Sequence, residues 1–181
     1  MIYLREIHTK DKELYAFMEN LLIKTFPVGE YRELKMLRHY TDNRENFHNH
    51  IIFDNKTPVG LITIWNLNDF NYVEHFAILP YKRNKGYGKR VINLIEKGLK
   101  EPIVLEVELP EDEIAIRRIE FYKRLNFKLW EVVYNQPPYK SGEESIPMFL
   151  MIYGELKKEK DYFRVKNKLH KEIYGVTENT N

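Results

Sequence analysis

Cysteine is missing from this 181-residue chain. Its absence excludes a disulfide scaffold, a thiolate nucleophile and a thiolate metal site, so any metal would fall to histidine and carboxylate. Long hydrophobic runs are missing too. The longest apolar stretches, such as MFLMIY at 148–153, stop far short of the roughly 20 residues a spanning helix needs. The opening MIYLREIHTKDKE carries no apolar signal core, which leads us to expect a cytoplasmic protein. Charge of one sign is also lacking: 29 basic against 27 acidic residues leave a formal +2, no basis for a basic surface that would hold nucleic acid or a membrane. The eight glycines and eight prolines never gather into a linker, and no repeat shows, so one domain with one core is expected.

What is present is mixed periodicity. Residues 2–7 alternate as a short strand, and Leu14, Phe17, Met18, Leu21 and Leu22 fall on one helical face. FPVGE at 26–30 breaks that helix, and YRELKMLRHY predicts a second carrying Leu34, Met36 and Leu37. HNHIIF, VGLITIW and YVEHFAIL read as strands, the first two joined by a DNKTP turn. Val91, Leu94, Ile95 and Leu99 mark another helix, IVLEVEL a strand, and Glu111 to Glu113 an acidic helix start that suits the positive end of a helix dipole. FKLWEVVY and IPMFLMIY predict two more strands. Tyr162, Val165, Leu169 and Ile173 predict a C-terminal helix whose apolar side covers a sheet edge or joins a partner, followed by a frayed VTENTN end.

Between the YVEHFAIL strand and the next helix stands RNKGYGKR, Arg83 to Arg90. Two glycines there let backbone N–H groups converge on one point, and the new helix adds about half a positive charge at its start, so an anion is expected. Neither the three-glycine dinucleotide fingerprint nor the G-x-x-x-x-G-K-[ST] phosphate loop is met.

The order of strand, Pro80, Arg83-x-x-Gly86-x-Gly88, amphipathic helix, strand, acidic helix start and FYKRLNF resembles the GNAT superfamily of acyl-CoA-dependent N-acetyltransferases. The likeness covers about residues 2–153 and is most specific over 72–127. It implies an α/β fold: a mixed, mostly antiparallel sheet flanked by helices, with a splayed parallel strand pair at the coenzyme site. Residues 1–153 would form the acetyltransferase domain, and 154–181 a helix and tail of the same domain. It implies acetyl-CoA as co-substrate, its pyrophosphate held by Arg83, Asn84, Lys85, Gly86, Tyr87, Gly88 and Lys89. Lys82, Lys85, Lys89 and Arg90 could meet the ribose phosphate as flexible point charges. The main chain of Phe76, Ala77 and Ile78 would bond the pantetheine arm as an incomplete extra strand.

Acetyl transfer to an amine needs a neutral amine, a stabilised oxyanion and a proton for the departing thiolate. An amine of pKa near 10.4 costs about 4–5 kcal/mol to deprotonate at pH 7, a burden a positioned base can share. The resemblance offers Glu74, preferred, or Glu106 as that base, with Glu108 weaker. It also implies Tyr122 as the acid that protonates the thiolate, and the Phe76 N–H as oxyanion donor. Departures from the family are Ala115 where asparagine is common, Arg118 where a small residue is common, and Asn126 in place of glycine.

His48, His50 and His75 have no spacing that completes a metal site, and none is expected. KNKLHK at 166–171 reads as a solvated helix face. For the acceptor, a small molecule or peptide amine, Glu30 could take a cationic group and Arg32 an anionic one, with Tyr139 as another wall. A monomer or homodimer is expected. The alternative function is a non-catalytic acyl-CoA-binding sensor or scaffold with the same fold; a nucleotide-phosphate binder is the third.

Overall fold

The computed structural model describes residues 1–176; of the VTENTN end expected to fray, all but Val176 lies outside the described residues. The fold is mixed α/β, as the resemblance implies. The described residues form β1 (Ile2–Glu6), α1 (Lys12–Thr25), α2 (Leu34–Asn43), β2 (Phe47–Asp54), β3 (Thr57–Asn66), β4 (Asn71–Ile78), α3 (Tyr87–Gly98), β5 (Ile103–Glu108), α4 (Glu113–Lys123), β6 (Lys128–Gln136), β7 (Ile146–Tyr153) and α5 (Lys158–Glu172). They divide into two compact units, Met1–Ile103 and Val104–Asn181.

In the first unit β1 to β4 pair consecutively and antiparallel. The β2–β3 turn needs only Asn55 and Lys56, because Asn55 takes the left-handed conformation (φ 54°) that such a turn demands. Met18, Leu22 and Leu37 on the helices and Phe47, Trp65, Phe70 and Tyr72 on the sheet and its loop are core residues with almost no exposed surface. Gly60 on β3 is dictated by close approach, since a Cβ there would stand 2.3 Å from the Ala77 carbonyl oxygen of β4.

Two helix faces differ from expectation. α2 starts at Leu34 rather than Tyr31 and buries Leu37 and Thr41, while Met36 is exposed. α3 buries Tyr87, Val91, Ile92 and Ile95, and Leu94 faces outward. At 36/37 and at 94/95 packing selects which of two adjacent apolar residues is buried, whereas Val91 and Ile92, also adjacent, both fit within the apolar stripe.

In the second unit β7 lies between β5 and β6, with β6 and β7 antiparallel. α4 is capped by Asp112, whose carboxylate accepts from Ala115 N at 2.8 Å. Its end turns through Asn126 (φ 63°), so asparagine does supply the left-handed residue that glycine usually provides. α5 covers β6 through Val165 and Leu169. Tyr162 donates to the Val133 carbonyl (3.3 Å) and His170 Nε2 to that of Asn135 (3.1 Å). Carbonyls two apart on the outer strand are thereby satisfied by side chains, which closes an edge otherwise open to another strand. No helix among the described residues is long and apolar enough to cross a membrane.

Candidate active site

The glycine loop is exposed from Arg83 to Gly86. Its path is set by two left-handed residues, Asn84 (φ 60°) and Gly86 (φ 74°). Alternation of this kind points successive N–H groups inward as an anion nest. Gly86 is the N-cap of α3, and no side chain caps that helix, so its first N–H groups remain for a ligand. Open space surrounds the position a Gly86 Cβ would take.

Two internal ties hold the loop. Arg83 Nε donates to the Ile78 carbonyl at 3.2 Å, and the buried Tyr87 reaches back to Asp54 Oδ2 at 2.7 Å. Arg90 lies over the Tyr87 ring and touches the Lys85 carbonyl at 3.4 Å. Lys85 and Lys89 stand exposed beside the loop. Converging donors, an uncapped helix start and exposed cations suit a diphosphate.

β4 leads into this loop and is bulged at Glu74: Thr63 pairs with His75 and Ile64 with Val73, leaving Glu74 as the extra residue. The bulge sends its carboxylate into the first unit. Oε1 lies 2.7 Å from Arg32 Nη2; Oε2 accepts from Arg32 Nη1 (3.0 Å) and from Trp65 Nε1 (2.9 Å). The Glu74 side chain has no exposed surface, yet the residue as a whole is half-buried, so what solvent meets is its main chain. Arg32 is stacked among Tyr40, Phe47 and Trp65, with its guanidinium carbon 4.9–5.5 Å from their ring centres.

Burial would raise the Glu74 pKa, but the Arg32 charge and its hydrogen bonds outweigh that and hold the carboxyl below its ordinary range. His75, beside it, donates Nε2–H to the Glu30 carbonyl at 2.9 Å, and burial lowers its pKa despite the neighbouring carboxylate. Arg32 and Glu74, which the sequence suggested for acceptor and base, are thus one buried ion pair 42 residues apart in the chain. Glu30 enters this region through its carbonyl. Phe76, Ala77 and Ile78 lie farther along the same strand, Ala77 buried and the other two half-buried.

In the second unit Tyr122 lies on the buried face of α4, its ring 5.1 Å from Phe121 and 5.3 Å from Phe127. Burial pushes its pKa up to about 12, with Arg118 opposing and Glu108 adding. The phenol is therefore protonated at neutral pH, and its hydroxyl makes no hydrogen bond to the described residues. Glu106, half-buried on β5, accepts from Gln136 Nε2 (3.0 Å) and from the Tyr174 hydroxyl (2.8 Å). Glu108 is bound by Arg118, so two positions marked separately in the sequence form one exposed ion pair. Gln136 and Tyr174 escaped sequence reading, because nothing local signals a contact made 30 and 68 residues away.

The histidines of β2 sit elsewhere. A cavity of about 550 Å³ opens beside His48, His50 and the C-terminal half of α3, lined also by Leu94, Ile95 and Leu99; that is the opposite end of α3 from the glycine loop. His48 Nδ1 pairs with Glu6 at 2.7 Å. Among the described residues no three histidine or acidic side chains are grouped to hold a metal.

Comparison with known proteins places this geometry. The acetyltransferase (GNAT) family profile matches residues 11–127. No curated protein matches the chain. Among solved structures, a protein of Bacteroides thetaiotaomicron assigned to the GNAT family of acetyltransferases is 54% identical, covers 97% of this chain and 99% of its own, and superposes with a TM-score of 0.94. More distant structures share the fold alone. Arabidopsis thaliana NAA60 in complex with acetyl-CoA is 16% identical, covering 84% of this chain and 98% of its own, with a TM-score of 0.59. The ribosomal-protein-S18-alanine N-acetyltransferase of Escherichia coli is 17% identical, covering 87% and 99%, with a TM-score of 0.57.

Proposed function

Since this chain belongs to the GNAT family of acetyltransferases, we propose that it transfers the acetyl group of acetyl-CoA to a primary amine. The observation that carries this reading is the loop: left-handed Asn84 and Gly86, a helix start without a side-chain cap, and exposed cations around it. The family-matched segment contains it whole.

Arg83 to Gly88 bind the diphosphate through main-chain N–H groups, while Lys85 and Lys89 add mobile positive charge. The main chain of Phe76, Ala77 and Ile78 bonds the extended arm, and the Phe76 N–H is the donor for the oxyanion. The bound thioester supplies an electrophilic carbonyl and a thiol leaving group. The acceptor nitrogen forms its bond to the acyl carbon as the carbon–sulfur bond breaks. Its proton passes to Glu106, directly or through water, and the Tyr122 hydroxyl gives its proton to the sulfur.

We assign the base to Glu106 rather than Glu74. A carboxylate enclosed by Arg32 and Trp65 and held ionised has little affinity for a proton and no approach for an amine. Glu74 instead fixes the bulge that positions the Phe76 N–H. Glu30 and Arg32 border the acceptor segment as its framework, through the Glu30 carbonyl and the Arg32 ion pair.

Thiol release from acetyl-CoA, monitored over a panel of amino acids, polyamines, aminoglycosides and peptide N-termini, tests the reading. Amine-dependent release that Tyr122→Phe lowers about 10²-fold is expected. Tight coenzyme binding with no release on any amine would favour a sensor over an enzyme.

A further inference from the structure

The family-matched segment ends at residue 127, yet a side chain from far beyond it reaches a residue of the proposed reaction. Tyr174 stands just past α5. Its place is fixed by the way that helix stops: Gly175 turns left-handed (φ 69°) and the Val176 N–H returns to the His170 carbonyl at 2.9 Å. The helix itself is tied to β6 by Tyr162 and His170. From this anchored position the Tyr174 hydroxyl donates to Glu106 Oε2 at 2.8 Å, and Gln136 Nε2 donates both to the same oxygen (3.0 Å) and to the Tyr174 oxygen (2.6 Å). The directions agree. The amide spends its two hydrogens on two acceptors, the phenol spends its one on the carboxylate, and the three groups close a ring. Tyr139, from the loop after β6, packs its ring 5.1 Å from that of Tyr174.

We propose that Tyr174 is a positioning residue for Glu106: with Gln136 it pins Oε2 and so fixes the orientation of the carboxylate, whose Oε1 is buried. The proposal rests on reading Glu106 as the base. A base that must align with a single N–H gains from having its rotation frozen in advance. Titratable groups around Glu106 among the described residues include Tyr134 of β6, with His170 of α5 against its ring at 5.3 Å, and Tyr139 and Tyr174; Glu108, farther along β5, is engaged by Arg118 of α4.

Tyr174→Phe keeps the ring and removes only the hydroxyl. Two readouts on the full chain decide the matter: carboxyl titration of isotopically labelled Glu106 by NMR, and the pH profile of kcat/KM for the amine. We expect the Glu106 midpoint to rise by about half to one pH unit, since a hydrogen bond to the ionised form is lost. The acid limb of the rate profile should rise by the same amount, and kcat should fall about tenfold with the KM for acetyl-CoA unchanged. Tyr162→Phe, which cuts a comparable bond of α5 to β6, serves as control and should leave both profiles in place. An unmoved Glu106 midpoint overturns the proposal, as does an equal effect in the control. A midpoint that moves while the rate profile stays put also overturns it, and shows that the reaction does not use Glu106. A wild-type protein that acetylates no amine removes the reaction itself and the tyrosine's role with it, while the carboxyl titration still reports the contact.

Discussion

Glu74 and Glu106 are the same residue type on strands of the two compact units, and the chain treats them in opposite ways. Glu74 meets a full positive charge, is sealed among Tyr40, Phe47 and Trp65 through Arg32, and has no exposed side-chain surface. Glu106 accepts from two neutral donors, Gln136 and Tyr174, and the residue is half-buried although its Oε1 is not exposed. A paired cation makes a carboxylate a permanent anion; neutral donors orient it and leave it able to take a proton. What a glutamate can do is therefore decided by its partners, which the strand pattern does not reveal.

Stability separates the two most sharply. Glu74→Ala strands the buried Arg32 charge, and urea unfolding should show a loss of about 3–5 kcal/mol. Glu106→Gln keeps neutral partners around a neutral group and should cost less than about 1.5 kcal/mol, while kcat falls by about 10²–10³-fold with the coenzyme dissociation constant unchanged. If Glu74→Gln were stable and slow while Glu106→Gln stayed active, the assignment would be reversed.

Tyr122→Phe should lower turnover by about 10²-fold and leave coenzyme affinity in place; equal losses in both would mark a packing role. Acid should act through the first unit. The Glu74 pKa is lowered in the folded chain, so its contribution is complete above the unfolded value, about 4.3, and fades as pH falls through the folded one. His75 is lowered too, so the unfolded chain takes up its proton first and stability declines as pH drops below about 6.5. Thermal melts of His75→Gln should be flatter than wild type from about pH 7 to 5, and those of Glu74→Gln flatter below about pH 4.5. The smallest effect is expected at Asn126→Gly, a gain of up to about 1 kcal/mol from relief of the left-handed residue.

Legibility in the sequence tracks the range of each interaction. The strands, the helices, the Asp112 start of α4 and the left-handed Asn126 rest on contacts within a few residues, and the sequence carries them. RNKGYG was readable for the same reason, because its shape comes from its own backbone. The bulge at Glu74 was not, since a register shift belongs to the pairing of β3 with β4 and leaves the residue pattern unmarked. Nor were the Arg32–Glu74 pair and the Tyr174 contact, which join segments 42 and 68 residues apart. The choice of Leu37 over Met36 was likewise set by packing. The sequence could therefore name Glu74 and Glu106 as candidates but could not rank them by surroundings.

Calorimetric titration of acetyl-CoA into the wild-type protein and into Gly86→Val addresses the loop directly. A Cβ at Gly86 has space around it but cannot hold φ near 74° without strain of about 1–2 kcal/mol, so the N–H array should lose its shape while the fold persists. The account predicts measurable binding by wild type, weakened at least tenfold in the variant. Absence of binding by the folded wild-type protein, or equal affinity in both, would contradict it.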